Sequence, residues 1–577
     1  MEEIDLVEVS FEVANKVGGI YQVLKSKSPK MQEFYGENYL TVGIYKVDNR
    51  NEFTPRENPF PKVFENLRQE GIECYYGVWE VEGRPKTILV DPSGLEKDVD
   101  ELKSRYWNKY GINSLDAGSD FDEPLAWGYA VSRLIQELGK DSDFVTHLHE
   151  WLSGVPALEI DSPTVFTAHA TVMGRALSNS GHDLSPVLEN GLDSGLVSEM
   201  GVEAKHGLEK AAAKEADVFT AVSETTAREA AAVLEERPEM VLPNGLNTEN
   251  YPSLEELSVN HVEKKKEVKE FLRAFFSPYY PLNLNEDPRI FFTSGRYEYR
   301  NKGFDVLIEA LSKVDKNEGD NIYFFFFVPS DVKQPKSDVL KNVSLYNELE
   351  KYVDSKLPGI RENILDSIAS GEKLDLEELL KASNELESLQ NEFRAKEEKP
   401  PLSAFELNYS QDDILNALKE EGLTNSKDNR VKIIFYPTYL SVGDRMLSMS
   451  YEDAVVASSA GFFPSYYEPW GYTPVETAAS GALSLTTDMA GFGKFLLNEA
   501  DSEEVKGVKV LQRENKEREE VVDDLAETIE EFASYDKTEI TERKHNARKL
   551  AQMTSWKNLG ENYRTAHKLA ERKNDTN

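Results

Sequence analysis

The sequence predicts an α/β protein built from two doubly wound lobes with a cleft between them. Three observations predict it. Strand-like and helix-like segments alternate along the chain, the pattern of a parallel sheet covered by helices. The alternation runs twice, on either side of a charged helical stretch at 251–280. The chain has 577 residues, more than one hydrophobic core ordinarily serves.

The first series opens with a strand at 4–13 and a helix introduced by Gly18 and Gly19. KTILVD (86–91) reads as a strand, 125–138 as a helix, and DFVTHLHE (143–150) and TVFTAHA (164–170) as strands. A helix at 205–217, a strand at 218–223, a helix at 225–236 and a strand-turn at 240–247 follow. The second series starts with the strand RIFFTSGR (289–296), a turn at 300–303 and a helix at 304–313. IYFFFFVPS (322–330) is almost wholly apolar, as a strand buried on both faces must be. Residues 343–397 break the rhythm; they are charged and helical, an insertion over the second lobe or at a subunit contact. VKIIFYP (431–437), AVVASSAGFFPS (454–465) and ALSLTTD (482–488) resume the strands, and 519–571 is helical by periodicity. The expected division is 1–280, then 281–535 carrying the insertion at 343–397, then C-terminal helices at 536–577.

Acidic residues outnumber basic ones 104 to 66, a formal net charge of -38. Such a surface repels nucleic acid and anionic lipid, so neither is an expected partner. It suits a high-salt interior, where salt screens self-repulsion. Any anion site must then be built locally, from scarce cations and helix ends. No run of 18 apolar residues occurs, and the N-terminus MEEIDLVEVSFEV lacks a basic leader and a small-residue cleavage site. One cysteine, Cys74, rules out an intrachain disulfide framework. The expected location is the cytoplasm.

The oddest stretch is FFPSYYEPWGYTPVETAASG (462–481). Pro469 holds Glu468 extended. Pro474 suits a first helical turn with Thr473 as its cap, and Glu476 falls three residues later, as in a capping box. Glu476 has two readings. It is a structural cap, or it joins Glu468 in holding sugar hydroxyls around a phosphate cradled by helix-start amides. Arg296 and Lys302, in SGRYEYRNKGF, form a candidate clamp for a diphosphate leaving group; the alternative is a surface salt bridge. His147 and His149 have HxH spacing, but no HExxH and no cysteine cluster accompanies them, so no metal is expected. His149, near Glu150 and Trp151, can instead hydrogen-bond a sugar or phosphate. His169 reads as a core or supporting histidine and Arg175 as a further cleft cation. Tyr451 either stacks on a base or is an ordinary helix-end aromatic.

With these motifs in view, the chain resembles the eukaryotic-type glycogen synthases, glycosyltransferase family 3. The resemblance rests on VSFEVANKVGGIYQVLKSK (9–27), HLHEW (147–151), HATVMGR (169–175), AVSETT (221–226), LPNGLN (242–247), GRYEYRNKG (295–303) and the whole of 463–476. These blocks are collinear from about residue 7 to about residue 565. The resemblance implies a retaining transferase of the two-Rossmann-lobe (GT-B) architecture, carrying glucose from UDP-glucose to the non-reducing end of an α-1,4-glucan such as glycogen. It makes 1–280 the acceptor-side lobe and 281–535 the donor-nucleotide lobe, with the C-terminal helices packing back on the first. It further implies a homo-oligomer whose insertion builds tetramer contacts, and no metal cofactor. ADP-glucose as donor, a sucrose-synthase-like reaction and a non-catalytic glucan-binding scaffold are the alternatives.

Carried over position by position, the resemblance places Lys16, Gly18 and Gly19 in the loop that closes on the donor. Arg296 and Lys302 bind its phosphates, and Arg175 is a cleft cation. His149 and Glu468 stand beside the transferred glucose. Glu476 holds the ribose hydroxyls and Tyr451 stacks on uracil. Gly471 and Tyr472 offer backbone amides to the diphosphate, with the Thr473 hydroxyl beside them. One departure stands out. The family's very basic helix that senses glucose 6-phosphate is met by TEITERKHNARKLAQMTSW (538–556), where only Arg543, Lys544, Arg548 and Lys549 remain. Activation by a sugar phosphate is therefore not expected.

Overall fold

A computed structural model describes residues 3–46, 51–282, 284, 287–371, 384–394, 396, 398–500 and 504–576. Nine strands form the first sheet: β1 (Leu6–Val9), β2 (Tyr39–Ile44), β3 (Phe53–Pro55), β4 (Glu73–Trp79), β5 (Lys86–Asp91), β6 (Val145–His149), β7 (Thr164–Ala168), β8 (Val218–Ala221) and β9 (Met240–Val241). Their order is β3-β4-β5-β2-β1-β6-β7-β8-β9. All pairs are parallel except those made by β4 with β3 and β5. The second lobe holds β10 (Arg289–Ser294) and β11 (Ile322–Phe327), then the two-stranded ribbon of β12 (Val332–Pro335) and β13 (Phe405–Leu407). It continues with β14 (Val431–Phe435), β15 (Ala460–Phe462), β16 (Leu483–Thr487) and β17 (Val508–Leu511). Its six-stranded parallel sheet runs β14-β11-β10-β15-β16-β17.

Most strands are buried on both faces, which is why they read as unbroken apolar runs. In β11 all six residues are buried, and Phe324 and Phe326 pack with Phe291 and Phe462 in one core. Each such ring stabilises the fold by roughly 2–3 kcal/mol through burial. The segment 454–465, expected as one strand, is two elements: a helix Tyr451–Ala457 and then β15. The Ser450 hydroxyl accepts the Asp453 amide at 3.1 Å and starts the helix; because Ala454–Ala457 are all buried, the segment shows no helical periodicity. The insertion forms helices Ser337–Ser370 and Asn384–Phe393; part of the expected 343–397 lies outside the described residues. The C-terminal segment is three helices, Arg518–Ser534, Lys537–Met553 and Trp556–Asn574. The last lies on the first sheet, where the Trp556 indole donates to Ser26 at 2.9 Å and the Tyr563 hydroxyl to the Leu242 carbonyl at 3.2 Å. Among the described residues no helix is long and apolar enough to cross a membrane.

Both strand orders reverse direction once. In the first sheet the chain leaves β1 toward β2 and returns at β6; in the second it leaves β10 toward β11 and returns at β15. Loops following these strand pairs diverge and leave a crevice at the carboxyl ends, where open α/β sheets bind ligands. Lys16–Gly19 follows β1 and Glu150 follows β6. Lys302 follows β10 and Glu468 follows β15. The candidate residues thus flank the two reversal points.

Candidate active site

The second-lobe wall is set by close backbone contacts. Gly303 adopts φ +71°, and a Cβ there would lie 2.0 Å from the Pro464 carbonyl oxygen. The NKG turn can therefore lie against the exit of β15, which carries the Lys302 ammonium to the Glu468 carboxylate. Their side chains are 12% and 20% exposed. Ser294, Ser465, Thr473 and Thr486 line a small pocket with them.

The helix after Glu468 begins at Tyr472, with Gly471 at φ +100° as its first flanking residue. Thr473 therefore lies inside the first turn. It is not the cap, and the Thr473–Glu476 capping box does not form. Instead, Thr473 accepts the Thr477 hydroxyl on its carbonyl at 2.7 Å. Among the described residues no side chain caps this helix. The amides of Gly471, Tyr472 and Thr473 donate to no backbone carbonyl outside the helix among the described residues. Free amides at a helix start carry partial positive charge and suit an anion.

Glu476, released from capping, is half-buried beside Glu452. Burial first, and the Glu452 charge second, push its carboxyl up to about 7. The Tyr451 hydroxyl shares a 2.7 Å hydrogen bond with Ser294, and its ring stands edge-on to Phe292 at 6.5 Å. Burial and nearby Glu476 raise that phenol. Arg296 is not drawn into this group. Its side chain is 71% exposed and pairs with Glu298 at 3.0 Å.

In the first-lobe wall, the Glu12 carboxylate accepts the amides of Gly18 at 2.9 Å and Tyr21 at 2.7 Å. A Cβ at Gly18 would fall 2.6 Å from Glu12 Oε1, so glycine lets the loop close on the carboxylate. Lys16 is exposed on that loop, with its ammonium 5.9 Å from the Tyr21 ring centre; Gly19 is exposed beside it. Glu150 has φ +65°, a strained state for a non-glycine residue that costs about 1–3 kcal/mol and gathers at functional sites. Its carboxylate accepts the Ala170 amide at 3.0 Å and Arg175 Nη2 at 3.2 Å. The Glu150 charge raises the Arg175 guanidinium further, so Arg175 is a permanent cation, with its side chain 45% exposed.

His149 departs from expectation. It is 1% exposed, and both ring nitrogens are taken, Nε2 by Glu8 at 2.8 Å and Nδ1 by His169 at 2.9 Å. Alternation along β6 turns His147 and His149 to the same face, under the C-terminal helix, and no nitrogen of His149 is left for a sugar. Glu8, His147 and His149 are also the group among the described residues whose donor atoms lie within 4.8 Å of one another. They fit a metal poorly. The Lys27 ammonium already sits on Glu8, and His147 is bonded to His567 at 3.0 Å and Thr167 at 2.7 Å. A cation would have to displace a buried ammonium.

The lobes touch around Glu468. The Tyr467 hydroxyl donates to Glu229 at 3.0 Å, Ser223 to the Pro469 carbonyl at 2.7 Å, and Tyr472 to the Gly245 carbonyl at 3.1 Å. The glutamate is thus carried on a segment pinned to the opposite lobe on both sides.

The family model for glycogen synthase matches residues 8–576. The chain belongs to the glycogen synthase family. Curated relatives agree. The chain is 32% identical to glycogen [starch] synthase isoform 1 of Saccharomyces cerevisiae, covering 98% of this chain and 86% of that protein. It is 31% identical to the glycogen [starch] synthase of Caenorhabditis elegans, covering 98% and 87%. Among solved structures, the catalytic domain of starch synthase IV from Arabidopsis thaliana, bound to ADP and acarbose, superposes with a TM-score of 0.52 at 14% identity over the full length of both chains. That likeness is one of fold, the two-lobed GT-B architecture.

Within this glycogen synthase family member, Arg543, Lys544 and Arg548 of the helix Lys537–Met553 are already engaged. Arg543 stacks on Tyr535 at 3.9 Å and donates to the Lys506 carbonyl at 3.2 Å. Arg548 donates to the Pro252 carbonyl. Lys544 lies 3.3 Å from His261, and burial lowers its ammonium to about 7. Sequence reasoning passed over Glu8 and Lys27. The signals were there: one carboxylate inside the apolar strand LVEV, and one lysine on the stripe Ile20, Val23, Leu24, Lys27, Met31, which is the buried face of its helix.

Proposed function

We infer that this chain transfers glucose from UDP-glucose to the 4-hydroxyl at the non-reducing end of an α-1,4-glucan, with retention of the α configuration. One observation carries the mechanism: a Lys302–Glu468 ion pair lies beside the uncapped start of the helix Tyr472–Ala479, at the reversal point of the second sheet. The amides of Gly471, Tyr472 and Thr473 and the Lys302 ammonium stabilise the charge that develops on the departing UDP. Arg296, solvent-exposed before the donor arrives, swings onto the same diphosphate. The C1–phosphate oxygen bond breaks and the C1–O4 bond forms on the same face. The acceptor's hydroxyl proton passes to the departing phosphate oxygen, so the leaving group needs no separate acid. Glu468, held by Lys302, orients the glucose and stabilises positive character at C1. Glu476 takes the ribose hydroxyls, Tyr451 the uracil and Arg175 the crevice side of the sugar. In this reading no metal takes part, the enzyme is cytoplasmic, and it works as a homo-oligomer.

Radiolabelled UDP-glucose and ADP-glucose, offered side by side with glycogen, test the donor. The account expects incorporation from UDP-glucose. Preference for ADP-glucose overturns the nucleotide assignment, and glycogen binding without turnover of either donor favours a scaffold.

A further inference from the structure

Beneath the first-lobe wall lies a buried polar chain that the mechanism above leaves unused. Glu8 on β1 is fully buried in a strand otherwise made of apolar residues. Its carboxylate receives Lys27 from the helix Gly19–Tyr35, Tyr39 from β2, and His149 from β6. His149 passes the chain to His169, just beyond the carboxyl end of β7. Lys27 also lies over the Tyr563 ring at 4.4 Å, and His147 stacks on His149 at 4.3 Å. Behind them, His567 bridges His147 and Tyr35, at 3.0 and 2.8 Å. The Arg175 charge acts on His169, and the Glu150 carboxylate accepts the His169 backbone amide.

The protons in this chain have one consistent arrangement. Burial opposes ionisation of Glu8, but Lys27 and the His149 hydrogen bond hold its carboxyl below the usual range, so it is an acceptor only. His149 must then carry its proton on Nε2. Burial and the Lys27 charge keep His149 from taking a second one. Its Nδ1 is therefore an acceptor, and His169 must donate from Nε2. Burial, with His149, Lys27 and Arg175 nearby, also keeps His169 neutral. Its Nδ1 then holds a lone pair, and among the described residues the His169 ring bonds through Nε2 alone.

We propose that Glu8 is a positioning residue: acting through His149, it locks His169 as the Nε2–H tautomer, so that His169 offers only an acceptor, Nδ1, to a hydroxyl in the crevice. The identity of that hydroxyl, a sugar's, rests on the proposed function; the lock itself does not. An imidazole with a fixed tautomer orients a hydroxyl in one sense, whereas a free one samples both. Lys27 supplies the counter-charge that makes an ionised Glu8 tolerable in the core.

The protein has eight histidines, so selective 15N labelling and long-range proton–nitrogen correlation can resolve their ring nitrogens, with His169→Asn assigning the signal. The expected result is a single Nε2–H tautomer for His169 from about pH 5.5 to 8.5. An Nδ1–H tautomer, or an imidazolium forming in that range, overturns the proposal. The charge-neutral pair Glu8→Gln with Lys27→Met gives a second readout. His169 should become a tautomer mixture, and kcat should fall about tenfold or more with KM for the donor little changed. A fall in kcat with the Nε2–H spectrum intact would reduce Glu8 to a structural role. The spectrum needs no turnover, so it decides the lock even if the assigned reaction is wrong; if the double variant does not fold, the wild-type spectrum still decides.

Discussion

Glu476 makes the most quantitative prediction. Its carboxyl rises from 4.5 to about 7 through burial and the neighbouring Glu452 charge. Each unit corresponds to about 1.4 kcal/mol, so ionising it in the folded protein costs up to ~3 kcal/mol more than in the unfolded chain. The sign follows from proton counts. Between pH 4.5 and about 7 the folded state holds a proton on Glu476 that the unfolded state has lost, so this residue's contribution to stability declines as pH rises and reaches its full penalty above 7. Glu476→Gln removes the term. The stability difference, variant minus wild type, should therefore grow from its value near pH 4.5 by up to ~3 kcal/mol toward pH 8. Binding runs the other way. If ionised Glu476 accepts hydrogen bonds from ribose hydroxyls, affinity for UDP-glucose should weaken by about tenfold per unit below pH 7 and flatten in the variant. UDP-glucose is the right titrant because its diphosphate is a diester and does not titrate in this range. Chemical denaturation and calorimetric titration across the pH series measure both. A stability difference independent of pH, or the same pH dependence of affinity in Glu476→Gln, refutes the reasoning.

Three further outcomes follow from the same geometry. Lys302→Ala removes the cation beside Glu468 and should weaken UDP-glucose binding by about 10- to 100-fold; unchanged affinity by calorimetry contradicts its assignment. Gly303→Ala sets a Cβ against the Pro464 carbonyl at 2.0 Å and forces φ +71° on alanine, so thermal unfolding should show a loss of about 2 kcal/mol or more, with kcat/KM falling as Lys302 shifts. Arg543, Lys544 and Arg548 are occupied by their own protein, so glucose 6-phosphate should leave the rate unchanged; clear activation in the transfer assay contradicts this.

What the sequence discloses depends on how each element is stabilised. Strands such as IYFFFF are buried on both faces and announce themselves by composition. In the helix Tyr451–Ala457 the run Ala454–Ala457 is buried without a break, and so the same rule misreads it as strand; only Ser450 at its start marks the difference. The antiparallel β4 is buried at Cys74, Gly77 and Trp79 without strict alternation, so ECYYGVW carries no clean period-2 signal. At the site, glycines and charged residues in long motifs lead to loops that flank the two reversal points. Their individual roles depend on contacts far apart in the chain. Thr473 has every local mark of a helix cap, yet the helix is flanked by Gly471 at positive φ, two residues earlier. His149 and Glu8 meet across 141 positions, and His147 and His567 across 420. No local pattern reveals that an HxH strand end faces into a buried network instead of the crevice.

The central claim is that Glu468, held by Lys302 beside the helix Tyr472–Ala479, governs glucose transfer to glucan. The most direct test compares wild type and Glu468→Ala for incorporation of labelled glucose from UDP-glucose into glycogen, with fold and UDP-glucose binding checked in both. The account predicts α-1,4-linked incorporation by the wild type and almost none by a folded variant that still binds donor. A near-normal rate in Glu468→Ala would contradict it.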